Sequence, residues 1–376
     1  MRFLFYAHSL VSDWNHGNAH FLRGVMRELI SRGHEAVALE PANGWSRANL
    51  LEANGEAAID RFALDFPELK SLLYDEAFDH EGLLDHADVV VVHEWTEPAL
   101  VARIGMARRR GGRFTLLFHD THHRAVSDEP AIFALALEDY DAVLAFGETL
   151  RQRYERAGWG RRVHSWHEAA DVRLFRPHPE TEKDADLVWI GNWGDDERSA
   201  EIAEYLVGPI RQLGLSANVH GVRYPSAALQ ALAEAGIGYQ GWVPNAEVPH
   251  VFARHRATLH IPRRPYVESL PGIPTIRMFE ALACGIPLIS APWDDSEGLF
   301  RPGLDFLFAT NGTHMAVLLR EVLRDPALAR SLAAHGRETI IARHTCGHRV
   351  DELLGFLAQC GDVRGLDQLA PMEAAQ

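Results

Sequence analysis

Two apolar patterns alternate along the chain. Short continuous apolar runs at residues 3–7, 35–39, 89–92, 115–118 and 142–146 predict buried parallel strands. Between them apolar residues recur at three- and four-residue spacing. Phe21, Leu22, Val25, Met26, Leu29 and Ile30 do so with Arg23, Arg27 and Glu28 on the other side, which predicts a helix ended by Gly33. Further helices are expected at 97–110, 133–137 and 148–157, with helical pieces at 50–64 and 68–74. The alternation then restarts. Strands are expected at 187–190, 217–220, 258–261 and 288–291, and helices at 198–206, 228–235, 248–254, 317–323, 327–334 and 348–359. Residues 262–266 read as a loop. Such a pattern, run twice, predicts two doubly wound α/β domains facing a cleft. Pro177, Pro179 and the charged run 180–186 mark the linker between them. The expected division is 1–170, a linker at 171–186, 187–345, a last helix at 346–361 and a frayed tail at 362–376.

The stretch 273–290 carries the strongest local signal. Pro274 suits a first helical turn, Gly285 a left-handed end, and Pro287 blocks continuation. Ile276, Met278, Phe279, Ala281, Leu282, Ala283 and Cys284 leave almost no polar face, so this helix should be buried. Arg277 and Glu280 sit inside it, three residues apart and so neighbours on the helix surface. Buried charges need a partner or a ligand. The two form either a structural ion pair or a ligand site at a helix start, where free N–H groups favour phosphate.

Composition narrows the function. The 376 residues are 47% hydrophobic, which excludes a disordered chain, and no apolar run reaches the length of a membrane span. A formal charge of −15 argues against a nucleic-acid partner. Three cysteines without framework spacing suggest a reducing, cytoplasmic setting, and the N-terminus reads as a first strand rather than a signal peptide.

Several loops hold polar residues where strands end, the place where open parallel sheets bind ligands. His93 and Glu94 follow the strand at 89–92, and His119 and Asp120 follow the strand at 115–118, ahead of His122 and His123. These histidines can be read as a metal site, as substrate contacts or as structural groups; the lack of helical spacing and of a nearby Cys weakens the metal reading. Gly191-Asn192-Trp193-Gly194 before a helix is a candidate phosphate loop, with Arg198 just beyond it. Arg108, Arg109 and Arg110 read as a solvated helix end, with an anionic surface as the alternative.

Phe-Glu-Ala-Leu-Ala-Cys-Gly-Ile-Pro-Leu-Ile at 279–289 resembles the donor-site signature of the GT-B glycosyltransferases, and Arg277 two residues ahead points to the CgeB-like, spore-maturation-type branch. The resemblance extends loosely over 1–170 and strongly over 187–350, including His344-Thr345-Cys346, where the branch has His-Thr-Tyr. It implies that Glu280 holds ribose hydroxyls, that the base pairs with backbone near Val243, and that Gly17 lies in the first loop beside donor and acceptor. It also implies that the last helix crosses back onto the first domain. Two departures stand out. The family's second acid, eight positions before Glu280, is here Gly272, and the Lys of its diphosphate clamp is absent, leaving Arg198 and Arg277.

The expectation is a glycosyltransferase moving a sugar from a nucleoside-diphosphate donor to a glycan, protein or small-molecule acceptor, retaining and without a metal or other cofactor. An acceptor base, if one is used, would come from His93, Glu94, His119 or Asp120. A nucleotide-sugar 2-epimerase and a non-catalytic scaffold of the same fold are the alternatives. No oligomeric state follows from the sequence.

Overall fold

The computed structural model describes residues 1–158 and 162–360; the tail expected at 362–376 lies outside them. Contacts divide the chain into two compact units. One comprises Met1–Val11, Val25–His167 and the chain from Gly347; the other comprises Ser12–Gly24 and Glu168–Cys346.

In the first unit β1 (Arg2–Tyr6), β2 (Glu35–Pro41), β3 (Lys70–Tyr74), β4 (Val89–His93), β5 (Thr115–Asp120), β6 (Ala142–Ala145) and β7 (Val163–Ser165) form one parallel sheet. Its order is β3-β2-β1-β4-β5-β6-β7, so strand order reverses between β1 and β4. Phe3 to Tyr6 and Val89 to Val92 are fully buried, as central strands covered on both faces require. Several expectations are corrected at the margins. Residues 70–74 are an edge strand, not a helical piece; Leu72 and Leu73 remain 40% and 43% exposed, so no buried face marks the strand in sequence. The helix expected at 133–137 lies at Glu129–Phe133, with Pro130 in its first turn. His119 and Asp120 close β5 instead of following it.

In the second unit β8 (Ala185–Ile190), β9 (Ala217–His220), β10 (Ile237–Gly241), β11 (His255–His260), β12 (Leu288–Ser290) and β13 (Leu307–Phe308) form a parallel sheet of order β10-β9-β8-β11-β12-β13. Leu187, Trp189, Ile202, Leu206, Val219 and Leu259 belong to the core packed on it. The helical stretch expected at 198–206 runs from Ser199 to Leu213 after a short turn at Asp195–Glu197, with a π-helical segment at Ala203–Val207. A one-turn helix, Arg264–Glu268, replaces the expected loop. The helix Ile276–Cys284 starts two residues later than Pro274 suggests, after an extended Thr275, and ends on a left-handed Gly285.

Candidate active site

The four residues expected to supply an acceptor base come together at the carboxyl ends of β4 and β5. His93, Glu94, His119 and Asp120 are all buried, at most 3% exposed. The two imidazoles meet at 3.3 Å, and His119 packs on Trp166. Burial pushes both pKa values down, His93 to about 4, so both rings are neutral near pH 7. Burial pushes both carboxyls up, and the charge of Asp120 raises Glu94 further. Thr121 Oγ1 donates to Glu94 at 3.1 Å, and Tyr154 donates to Asp120 at 2.6 Å. These groups therefore brace the sheet edge. What faces outward is aromatic: Trp95 is 44% exposed, has Arg124 over its ring at 4.5 Å, and lies 6.1 Å from the His8 ring. Elsewhere in this unit a cavity of about 620 Å³ is lined by Tyr74, Asp75, His80, Glu97 and Arg103 among others. Among the described residues, no three His, Cys, Asp or Glu side chains are grouped so as to hold a metal ion.

The second unit gathers most of the expected donor residues. Glu280 is fully buried in the helix Ile276–Cys284. Arg277 donates to its Oε2, while His20 Nδ1 and Asn245 Nδ2 donate to Oε1 at 2.7 and 3.0 Å. Burial alone would raise the Glu280 pKa; Arg277, His20 and Asn245 outweigh it and hold the carboxyl below its ordinary value. His20 Nε2 accepts from the Asp171 N–H at 2.8 Å, which leaves Nδ1 as the nitrogen that donates to Glu280. The imidazole face stacks on Phe175 at 4.1 Å. Asp13, in the same segment, accepts from Arg23, from Trp242 Nε1 and from the Asn245 N–H. Gly17 abuts the start of the Glu280 helix: a Cβ there would stand 3.1 Å from Ile276 Cγ2. Sequence reasoning missed His20, Asp13 and Asn245, whose partners lie far away along the chain.

At the carboxyl end of β8, Gly191 lies against the Trp189 ring with no room for a Cβ, and Asn192 bonds Asn15 and the Val222 N–H. The carbonyls of Asn192 and Ile261 accept from the two terminal nitrogens of Arg198. Arg198 is 8% exposed, its guanidinium lies 5.2 Å from the Trp189 ring, and its Nε has no partner. Among the described residues it forms no ion pair, whereas Arg263 is paired with Glu197 and Arg277 with Glu280. Burial first, then Arg263 and Arg277, push its pKa down to about 9. Three more buried polar atoms lack partners on the loops and strand ends of this edge: His220 Nδ1, His260 Nε2 and Asn245 Oδ1. Burial pushes His220 to about 4 and His260 to about 3, so both are neutral. A histidine closing an apolar strand was the available signal for these two.

Gly272 explains its own departure from the family pattern. Its φ is +88°, and a Cβ there would meet Ser296 Oγ and Glu297 Cγ at 2.8 Å, so an acid does not fit. The Glu297 side chain instead fills the neighbouring space. Val243 is half-buried in the loop between Trp242 and Asn245.

Residues 198–355 match the model of a family described as glycosyl transferase-like. That match lies in the C-terminal half of the chain. Its fold is GT-B, shared with sucrose-phosphate synthase from Thermosynechococcus elongatus (15% identity, 95% of this chain and 98% of that one, TM-score 0.65). A glycosyltransferase from Rickettsia africae aligns over 96% and 98% of the chains at 11% identity and TM-score 0.66. HepE of Anabaena in complex with UDP-glucose aligns over 96% and 100% at 13% identity and TM-score 0.67. No curated protein matches the chain. Among the described residues no helix is long and apolar enough to cross a membrane.

Proposed function

We propose that the protein transfers a sugar from a nucleoside-diphosphate sugar to an acceptor, and that the donor lies at the carboxyl edge of the β8–β12 sheet. The observation that carries this reading is Arg198: a buried guanidinium with no carboxylate, among strand-end polar atoms that also lack partners. An uncompensated buried cation is costly unless an anion arrives. A diphosphate supplies that anion, and the planar fork of Arg198, together with the partly exposed Arg277, suits its oxygens.

Glu280 uses three of about four lone-pair sites on protein donors, leaving one for a ribose hydroxyl, with Asn245 Oδ1 beside it for the second. The base then lies near Val243. Arginine positive charge, rather than a metal ion, meets the leaving group in this account. In a retaining reaction the sugar C1–O bond to the diphosphate breaks as the acceptor oxygen attacks from the same face. The acceptor proton passes to a diphosphate oxygen, so no protein base is needed. That fits the burial of His93, Glu94, His119 and Asp120, which would shape the acceptor side without touching the reacting atoms. Arg277 ahead of the 279–289 signature supports placement in the CgeB-like branch, and the buried thiols of Cys284 and Cys346 support a cytoplasmic setting.

The test is thermal stabilisation across a panel of nucleoside diphosphates and their sugars. Binding to the native state alone raises stability by about 2.7 kcal/mol at a hundredfold excess over Kd. A donor with its nucleotide should stand out, and a panel without a single stabilising member would refute the proposal. A scaffold that lost the site predicts that blank panel; an epimerase predicts turnover of the donor without acceptor.

A further inference from the structure

His260 holds the most specific information about the donor beyond its diphosphate. It closes β11 at 2% exposure, and Ser290 stands opposite it on β12. Ser290 Oγ donates to the Ala291 carbonyl at 2.8 Å, so it must accept from His260 Nδ1, 2.9 Å away. That fixes the ring proton on Nδ1. Nε2 is then a bare lone pair, buried and without a partner. Trp293 packs edge-on against the ring at 6.0 Å.

A bare imidazole nitrogen needs a hydrogen-bond donor. Diphosphate oxygens accept only, so they cannot satisfy it. Arg198 is close enough for its charge to act on His260, yet its three nitrogens are directed to the Asn192 and Ile261 carbonyls or left unpaired. The ligand part next to a diphosphate on the donor is the sugar, whose hydroxyls are donors. We propose that His260 Nε2 accepts a hydrogen bond from a hydroxyl of the transferred sugar, making His260 a specificity-determining residue that selects donors with a free hydroxyl at that position. The proposal rests on the nucleotide-sugar reading of this site. A pocket that hydrogen-bonds a hydroxyl discriminates strongly against analogues lacking it, because the polar partner is left buried and unmatched.

The test compares UDP, UDP-glucose and the monodeoxy analogues of UDP-glucose by calorimetry, on the intact protein and on His260→Phe. UDP affinity should be the same for both proteins. UDP-glucose should bind the variant about tenfold more weakly, as one hydrogen bond to a neutral acceptor implies. One deoxy analogue should bind the unmodified protein equally weakly and lose nothing further in the variant. Ser290→Ala, which keeps the ring but frees its proton, should weaken UDP-glucose in the same direction and covers the case where His260→Phe does not fold. Equal weakening of UDP and UDP-glucose would assign His260 to phosphate or to structure and overturn the proposal. Deoxy analogues that all bind like UDP-glucose would overturn it too. Where another nucleoside diphosphate binds in place of UDP, the same comparison is made with its glucose conjugate; if no nucleoside diphosphate binds the unmodified protein, the donor reading itself falls.

Discussion

Replacing Arg198 with methionine separates a ligand-binding arginine from a structural one. The depression of its pKa from 12.5 to about 9 corresponds to about 5 kcal/mol of unfavourable surroundings for the charge. Arg198→Met removes that cost. It also removes two hydrogen bonds to the Ile261 and Asn192 carbonyls, whose loss costs about 1–3 kcal/mol each. These terms roughly cancel, and the flexible methionine still fills the space over Trp189. Stability without ligand should therefore change by less than about 2 kcal/mol, against the about 3–5 kcal/mol lost when a buried ion pair is broken. Diphosphate binding should fall by about 1.5–3 kcal/mol, the worth of hydrogen bonds to a charged group, or about 10- to 150-fold in Kd. Chemical denaturation measures the first quantity and calorimetric titration with UDP the second. A variant that unfolds easily yet binds UDP normally when folded would refute the reasoning.

Other outcomes follow from the same geometry. Glu280→Gln should weaken donor binding by about 1.5–3 kcal/mol and also destabilise the fold, because an amide N–H₂ would face either Arg277 or the N–H donors of His20 and Asn245; unchanged donor affinity in a titration would count against the ribose contact. Gly272→Ala should cost more stability in urea unfolding than Gly33→Ala. Both have positive φ and share the about 1–2 kcal/mol strain of a left-handed residue, but only Gly272 meets neighbouring atoms. Equal losses would contradict the close approach of Glu297. The neutral imidazoles of His93, His220 and His260 have folded pKa values below the unfolded one, so their contribution is intact above about pH 6.5 and is lost progressively as pH falls from about 6.5 to about 4, or to about 3 for His260. Each should lower stability by up to about 1.4 kcal/mol per pH unit over that range, opposed by the raised carboxyls of Glu94 and Asp120, so the check is residue by residue: imidazole resonances of these three that titrate near pH 6.5 in the folded protein would contradict their burial as neutral groups.

The central strands and the helix Ile276–Cys284 were legible because burial on both faces writes continuous apolar runs into sequence. The strands at the margins, β3, β7 and β13, were not: they are short, half-exposed and held by pairing to one neighbour. Arg277 and Glu280 were legible as neighbours through their three-residue spacing, and the structure pairs them. The rest of that cluster was hidden. His20 meets Glu280 across 260 positions, and no local pattern announces a contact of that span. Nor did residue type separate His93 and His119, enclosed in the sheet edge, from the exposed Trp95 that follows. Gly272 looked like a lost acid in sequence; its positive φ makes it a backbone requirement.

The most direct measurement is calorimetric titration of the protein with a nucleoside diphosphate and with the matching nucleoside, across uridine, thymidine, guanosine and adenosine. At least one diphosphate should bind, with its nucleoside at least about tenfold weaker, since Arg198 and Arg277 act on phosphate alone. Equal binding of the two members of every pair, or no binding by any, would contradict the claim that the buried guanidinium of the second unit waits for a diphosphate.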